Sequence, residues 1–345
     1  MTAAEAILKA FRQIEPGVHP ELEMGRYLTE TAGFGHVPKL LGSIEFVCPS
    51  TGSRTALCVL QSLIRDGKDG WEYVTAHLKK MRAEDRAGQG SAHELMSLAG
   101  KLGKRTAELH QAFGAATSNP AFEPEPASED WLLQWKGSLL SSVSSVLGNV
   151  ADRMNNFAGA DSVIAKSLVA RNGELTARVR ARLPRSTKAK LTRLHGDFHL
   201  GQSLVTQGDV FIVDFEGEPM RPLAERRSKH LPLRDVAGML RSLEYASATA
   251  AQDAELTEEE TSTVQELSCR MQSSFLLAYS QAIAGRVSFP QDLTQADDLL
   301  ELCLIEKALY EVQYEMANRP DWIKMPMAGL LAVMDGRRHS FTYLP

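Results

Sequence analysis

Cysteine is scarce in this chain of 345 residues, and none of its four cysteines falls in a C-x-x-C pair. A disulfide scaffold and a structural zinc site are therefore not expected. Long apolar runs are missing too, and the segment from Met1 to Glu5 lacks the basic start and apolar core of a secretory signal. These absences predict a cytoplasmic protein that makes no membrane contact.

An excess of positive charge is also missing. The chain has 38 Lys and Arg against 43 Asp and Glu, which gives a net charge of −5. Nucleic acid is therefore not an expected partner, and any phosphate group must be bound by a local site. Hydrophobic residues make up 43% of the sequence, so the chain can bury the core of one large domain or two medium ones.

The predicted elements form a short mixed start followed by a long helical body. One β-hairpin interrupts the helical part, because two apolar segments flank the turn sequence Gln207-Gly208-Asp209. Periodicity and turn residues predict strands over 6–12, 40–46 and 55–62, a first helix over 20–31, and further helices over 71–115, 131–182 and most of the chain beyond 235.

The residues around this hairpin carry the chemistry. His195, Asp197 and Gln202 have the spacing of the kinase catalytic loop H-x-D-x-x-x-x-N, with Gln in the Asn position. Asp214 follows the apolar segment 210–213 and would lie at the same end of the hairpin as Asp197 and Gln202. Phosphoryl transfer needs one carboxylate near the attacking hydroxyl and further oxygen ligands for Mg²⁺, so this set predicts a kinase that uses ATP and Mg²⁺.

The run His-Gly-Asp-Phe-His-Leu-Gly-Gln from His195, followed by Asp-Phe-Glu-Gly-Glu-Pro from Asp214, resembles the signature of bacterial maltokinases. The runs 234–242 and 310–322 are similar to that family as well. The resemblance implies an aminoglycoside-phosphotransferase-like protein that converts maltose to maltose 1-phosphate with ATP. In several bacteria the kinase follows a trehalose synthase domain, so the resemblance also implies such a domain or protein as a partner.

The resemblance assigns roles to individual residues. It implies that Asp197 is the catalytic base and that Gln202 and Asp214 bind Mg²⁺. Lys9 would contact the nucleotide phosphates and pair with Glu23, with Glu21 as the competing candidate. The segment from Gln61 to Leu63 would hold the adenine through backbone groups.

The resemblance also implies a sugar site near the C-terminus. Tyr310 and Tyr314 are four residues apart and share one face of a helix, and aromatic faces suit sugar rings. By the resemblance, the other expected substrate contacts are Glu216, Glu311, Arg319 and Trp322.

The expected fold class is α+β, with the two lobes of a protein kinase and a predominantly helical C-lobe that contains the catalytic hairpin. Residues 1–62 are predicted to form a partial N-lobe that begins at the strand bearing Lys9, and residues 63–345 the C-lobe. The sequence shows no Gly-rich loop before Lys9, so we expect a truncated N-lobe with an open sheet edge and weak nucleotide binding.

Three alternatives remain open at this stage. The alternation His195, Asp197, His199 could bind zinc or manganese in a metallohydrolase, with His230 as a further ligand. The chain could be a catalytically impaired or regulatory kinase-like module. A kinase of this fold could also act on another small hydroxylated molecule, such as an aminoglycoside, choline, homoserine or glucosamine, because fold does not determine substrate.

Overall fold

The computed structural model of the protein describes residues 5–80, 88–253, 256–336 and 339–342. The chain begins with an antiparallel sheet of β1 (Ala6–Ala10), β2 (Leu40–Val47) and β3 (Arg54–Ser62), in the order β1-β3-β2. Helix α1 (Pro20–Arg26) starts with a proline, which is favourable because an N–H at the first position of a helix would have no partner within the helix. The helix continues into a π-helical turn over Tyr27–Thr31. The sheet and α1 share a small core of Phe11, Leu22, Ala56 and Val59.

The predicted hairpin is confirmed and gains a third strand. Strands β7 (Ser203–Val205) and β8 (Val210–Ile212) pair antiparallel, with Ser203 opposite Ile212. Strand β4 (Lys68–Asp69) pairs with β7 and attaches the hairpin to the start of the helical body. A two-residue pairing between β5 (Glu125–Pro126) and β6 (Lys190–Leu191) lies just before the predicted catalytic loop.

The rest of the described chain is largely helical, as the sequence predicts. Helix α8 starts where helix was expected beyond 235, and the expected break near 172 separates α5 from α6. The expected break at 88–90 falls at the start of α3, next to residues outside the described part. The helices are α2 (Gly70–Lys80), α3 (Gly88–Gly114), α4 (Glu129–Asp152), α5 (Gly159–Ala170), α6 (Asn172–Arg182), α7 (Leu223–Arg226), α8 (Leu233–Asp253), α9 (Glu258–Ile283), α10 (Leu293–Asn318) and α11 (Lys324–Met334).

Helix α10 lies in the main core, and buried apolar residues occur on most of its faces. Helix α3 packs closely on α9, and Gly103 makes this possible because a Cβ there would lie 2.1 Å from the Phe275 carbonyl oxygen. Among the described residues, no helix is both long enough and apolar enough to cross a membrane. The α+β class, with helices dominating after the first sheet, is confirmed.

Candidate active site

Asp235, at the start of α8, binds the backbone of the predicted catalytic loop. Its carboxylate accepts the backbone N–H groups of His195 at 2.8 Å and Gly196 at 3.0 Å, and it lies 3.2 Å from His110 Nε2. Burial alone would raise the pKa of Asp235, but these bonds hold it below its ordinary value. Sequence reasoning gave Asp235 no role, although it follows Arg234 in one of the runs that resemble the maltokinases.

A second set of bonds ties the loop to the hairpin. His195 Nε2 lies 2.9 Å from the Val213 carbonyl oxygen, and the Val213 N–H donates to the Gln202 carbonyl at 3.0 Å. Gly196 has a φ of +86°, a left-handed conformation that favours glycine. The hairpin therefore places Asp197, Gln202 and Asp214 at one end, as the sequence predicts.

Asp214 and Lys9 form the centre of a charged cluster on the side of the first sheet. Asp214 has a φ of +67°, which is rare for a residue with a side chain and typical of functional turns. Lys9 Nζ lies 2.6 Å from Asp214 Oδ1 and 2.6 Å from Glu216 Oε1. Burial alone would lower the pKa of Lys9, but the nearby carboxylates outweigh it and raise the pKa above its ordinary value. The structure thus brings Lys9 to the predicted metal ligand.

The predicted pairing of Lys9 with Glu23 is wrong. Lys9 Nζ lies 3.9 Å from Glu21 Oε2, whereas Glu23 accepts bonds from Arg193 at 2.8 Å and from Arg227 at 2.7 Å. Residues 21 and 23 point in different directions from α1, because successive helical residues are about 100° apart. Glu21 faces the sheet, and Glu23 faces the helical body.

Two further expectations concern the nucleotide and substrate sides. Gln61 lies on β3 and its side chain donates to Glu21 at 2.8 Å, while the Leu63 N–H donates to the Glu5 carbonyl at 3.1 Å. Both groups are used within the fold, and a contact of 61–63 with adenine stays a prediction.

Glu216 was expected at the substrate, but its carboxylate lies at Lys9 and does not line the acceptor cavity described below.

Asp197 faces a different partner, which the sequence analysis missed. Lys307 Nζ, from α10, lies 3.2 Å from Asp197 Oδ1 and 2.9 Å from Glu218 Oε1. Glu218 also accepts from Arg221 and, at 3.0 Å, from Arg234. Burial would raise the pKa of Glu218, but Lys307 and the two arginines lower it to about 2. Lys307 lies three residues before Tyr310, so the periodicity that selected the tyrosines could have found it.

Next to Asp197 and Lys307 opens a cavity of about 420 Å³ between α8, α10 and the start of α2. We call it the acceptor cavity. Five of the six predicted substrate residues line it together with Asp197, namely Tyr310, Glu311, Tyr314, Arg319 and Trp322. Its other lining residues are Trp71, His199, Gly201, Pro219, Gly238, Ser242, Tyr245, Thr249, Lys307 and Glu315.

The walls of the acceptor cavity combine aromatic rings with fixed charges. The Tyr310 and Tyr314 rings are stacked with centroids 6.2 Å apart, and Arg319 lies over both Tyr314 and Trp322. Glu311 accepts two bonds from the buried Arg241, both on Oε2, and among the described residues none falls on Oε1. Burial raises the pKa of Glu311 despite the charge of Arg241. Rings, a cation and a free carboxylate oxygen are groups that bind sugars.

The donor set fits magnesium better than zinc. His195 is engaged by Val213, and His230 packs against Trp131 and Trp135, so these side chains do not converge with His199. Within the described part of the chain, no group of three or more His, Cys, Asp or Glu side chains could hold a metal ion. Magnesium requires only one or two protein oxygens besides phosphate and water, and the Asp214 carboxylate and the Gln202 amide would be these oxygens.

Two curated relatives match most of the chain. One is a glucosamine kinase from Streptacidiphilus jiangxiensis, 26% identical over an alignment of 311 residues that covers 88% of this chain and 63% of that protein. The other is a glucosamine kinase from Mycolicibacterium smegmatis, 27% identical over an alignment of 335 residues that covers 96% of this chain and 75% of that protein. The chain thus spans less than two thirds of the length of the first relative.

Solved structures show the same fold. A glucosamine kinase in crystal form B has a TM-score of 0.74 at 22% identity, covering 96% of this chain and 73% of that one. A glucosamine kinase in complex with glucosamine, ADP and inorganic phosphate has a TM-score of 0.74 at 23% identity. The match covers 95% of this chain and 72% of that one. The kinase-like fold is confirmed, whereas these relatives lend no support to maltose or to a trehalose synthase fusion.

The decisive match is to a family model. The model of the phosphotransferase enzyme family matches residues 2–261, which include the Lys9 strand, the catalytic loop, Asp214 and Asp235. On this evidence the chain belongs to the phosphotransferase enzyme family.

Proposed function

We propose that this protein is an ATP-dependent sugar kinase, and that an amino sugar such as glucosamine is its acceptor. One observation carries the proposal: Asp197 lies in the wall of the acceptor cavity, while the adjoining end of the same hairpin carries the Lys9–Asp214 cluster. A sugar hydroxyl and the γ-phosphate of a nucleotide would therefore meet at Asp197, which is the arrangement that phosphoryl transfer requires.

The chemistry follows from these positions. Asp197 accepts the proton of the sugar hydroxyl while the hydroxyl oxygen of the sugar forms a bond to the γ-phosphorus. At the same time the bond between that phosphorus and the oxygen of the leaving ADP breaks. Lys307 orients the Asp197 carboxylate through Oδ1, which leaves Oδ2 for the acceptor. Mg²⁺ held by Asp214 and Gln202 would neutralise charge on the phosphates. Lys9 binds the phosphate oxygens, and these bonds replace some of its bonds to Asp214 and Glu216.

The acceptor is an amino sugar on two grounds. Both curated relatives are named glucosamine kinases, and Glu311 offers Oε1 to an ammonium group inside the cavity. A buried carboxylate that meets an ammonium forms a charge-assisted hydrogen bond, which is stronger than a bond to a neutral hydroxyl. Maltose is the second candidate, because the stacked tyrosine pair extends along the cavity beyond the reacting end.

The test is a coupled assay of ADP release with glucosamine, glucose, maltose, choline and an aminoglycoside, with the phosphorylated product identified by mass spectrometry. We expect the highest kcat/KM with glucosamine, and the Glu311→Gln variant should reduce the preference for glucosamine over glucose about tenfold. Equal kcat/KM for glucosamine and glucose would refute recognition of the amine. ADP release that no acceptor stimulates would identify a catalytically impaired or regulatory module.

A further inference from the structure

The acceptor cavity extends well beyond the residues that the proposed function uses. Gly238, Ser242, Tyr245 and Thr249 line it from α8, and their spacing of four, three and four residues places them on one helix face. At 1.5 Å per residue, this row is about 16 Å long. One end adjoins the catalytic loop, because a Cβ on Gly238 would lie 2.5 Å from the Phe198 carbonyl oxygen. Thr249 therefore lies at the far end.

Helix α10 runs alongside α8 in the same direction. Lys307 contacts Asp197 near the Gly238 end, and one turn further along Glu311 accepts from Arg241. The wall from Lys307 to Glu315 is about 12 Å long. A single pyranose ring measures only about 6 Å between opposite hydroxyl oxygens, given single bonds of about 1.5 Å. A sugar ring held at Asp197 thus leaves the Thr249 end of the cavity unfilled.

The far end carries polar groups that have no partner within the described protein. Thr249 is only 8% exposed, yet its Oγ1 has no hydrogen-bond partner there, and the buried Tyr245 hydroxyl has none either. Two other buried threonine hydroxyls on helices bond back to their own helix, Thr106 to the Leu102 carbonyl at 2.7 Å and Thr75 to the Trp71 carbonyl at 2.8 Å. A buried hydroxyl without a partner is costly, so a group that binds there gains from satisfying it.

We propose that Tyr245 and Thr249 form a distal subsite that binds a hydroxyl-bearing extension of the acceptor, beyond the ring that is phosphorylated. The extension is either a second sugar ring or a polar substituent. Tyr314 and Trp322 offer aromatic faces in the same cavity, and Arg319, held by Glu315 at 2.7 Å, offers a cation. The subsite rests on the proposed function, since it presumes a sugar ring at Asp197.

The experiment compares glucosamine with its β-1,4-linked disaccharide, in the wild-type chain and in the Thr249→Val and Tyr245→Phe variants. Thr106→Val is the matched control, because it removes a buried helical hydroxyl outside the cavity. Binding is followed by fluorescence of Trp71 and Trp322, which line the cavity, and turnover by ADP release. A set of glucosamine derivatives with polar substituents distinguishes a second ring from a substituent.

We expect the wild type to bind the extended acceptor about tenfold more tightly than glucosamine. Each cavity variant should lower the ratio of the affinity for the disaccharide to the affinity for glucosamine several-fold. Thr106→Val should leave this ratio unchanged. If glucosamine is phosphorylated but the ratio does not respond to Thr249→Val or Tyr245→Phe, the subsite is refuted and the proposed function stands. If neither sugar binds nor is phosphorylated, the proposed function itself fails.

Discussion

The nucleotide side and the acceptor side of the site are built from different parts of the molecule. Lys9 and Asp214 lie on a small sheet and at the end of a short strand, and their side chains are 29% and 37% exposed. Lys307 and Arg241 lie on α10 and α8, and Glu218 lies in the loop after β8; their side chains are 12%, 3% and 2% exposed. Water can reach the charges of Lys9 and Asp214 and screen their attraction, but it is largely excluded from the charges on the acceptor side.

This difference separates binding from folding. Charges that stay in contact with water can exchange partners when a nucleotide arrives, so Lys9 can leave Asp214 at little cost. Charges that are buried and paired cannot lose a partner without leaving an uncompensated charge inside the protein. Substitutions on the nucleotide side should therefore change affinity for ATP, while those on the acceptor side should also change the free energy of unfolding.

Asp197 belongs to both sides, and its loss should have the largest effect. We expect Asp197→Asn to lower kcat about a thousandfold, since a positioned general base contributes about 10² to 10⁴. The isosteric amide should keep ATP and acceptor binding close to wild type. Steady-state kinetics with equilibrium binding of each substrate checks this, and a variant that retains a tenth of the wild-type kcat would exclude Asp197 as the base.

Removal of Lys307 should damage stability and activity together. Lys307→Met deletes a cation between Asp197 and Glu218, although Glu218 keeps Arg221 and Arg234. We expect a loss of about 3 kcal/mol in the free energy of unfolding, measured in urea, together with a lower kcat. The control is Lys101→Met on the exposed face of α3. Equal stability of both variants would contradict the proposed burial of charge on this side.

The helical body should also lose stability in mild acid through His230. Burial lowers the pKa of His230 from its ordinary 6.5 to about 4. The unfolded chain thus binds more protons between these values, so stability falls as the pH drops from 6.5 to 4, by on the order of 3 kcal/mol. His230→Asn keeps an acceptor for the Leu231 N–H but cannot titrate. Urea unfolding at several pH values should give a flatter profile for the variant, and identical profiles would refute this source of acid sensitivity.

Lys9 tests the nucleotide side in isolation. Lys9→Met should raise the KM for ATP about tenfold, as expected for one lost charge-assisted bond of about 1.5 kcal/mol. It should leave acceptor affinity unchanged and reduce stability by less than about 1 kcal/mol, because the side chain is partly solvated. A stability loss as large as that of Lys307→Met would remove the contrast between the two sides.

The smallest effect separates the two glutamates of α1. Glu21→Gln should raise the KM for ATP several-fold through Lys9, and it should also lower stability, because Glu21 is only 1% exposed and accepts the Phe215 N–H and the Gln61 amide. Glu23→Gln should leave the KM unchanged and lower stability, because it weakens the pairing of Arg193, which is only 1% exposed. Kinetics and thermal unfolding of both variants provide the test, and the reverse pattern would restore Glu23 as the partner of Lys9.

The same contrast describes what could be predicted from the sequence. The hairpin and the residues around it are encoded locally, by turn residues between two apolar strands and by the spacing from His195 to Gln202. For this reason the strands and the proximity of Asp197, Gln202 and Asp214 were predicted correctly. Glu21 and Glu23 lie two residues apart on one short helix, and sequence alone does not say which of them faces the sheet.

The acceptor side was predicted only along one helix. The period of α10 correctly grouped Tyr310 and Tyr314, because helical spacing fixes which residues share a face, whereas Glu311 was named only through the family resemblance. The role of Asp235 and the row from Ser242 to Thr249 depend on how α8 packs against α10 and against the catalytic loop. Such packing joins segments about 40 to 70 residues apart, as in the bonds from Asp235 to His195 and from Arg241 to Glu311, and no local pattern encodes it.

The central claim is that the two sides act on one reaction at Asp197. The most direct test incubates the wild-type chain with ATP, Mg²⁺ and glucosamine and quantifies ADP and sugar phosphate in the same samples by mass spectrometry. The account predicts that both products accumulate in equal amounts and that both form about a thousandfold more slowly in the Asp197→Asn variant. ADP that accumulates without sugar phosphate, or sugar phosphate that still forms at the wild-type rate in Asp197→Asn, would contradict it.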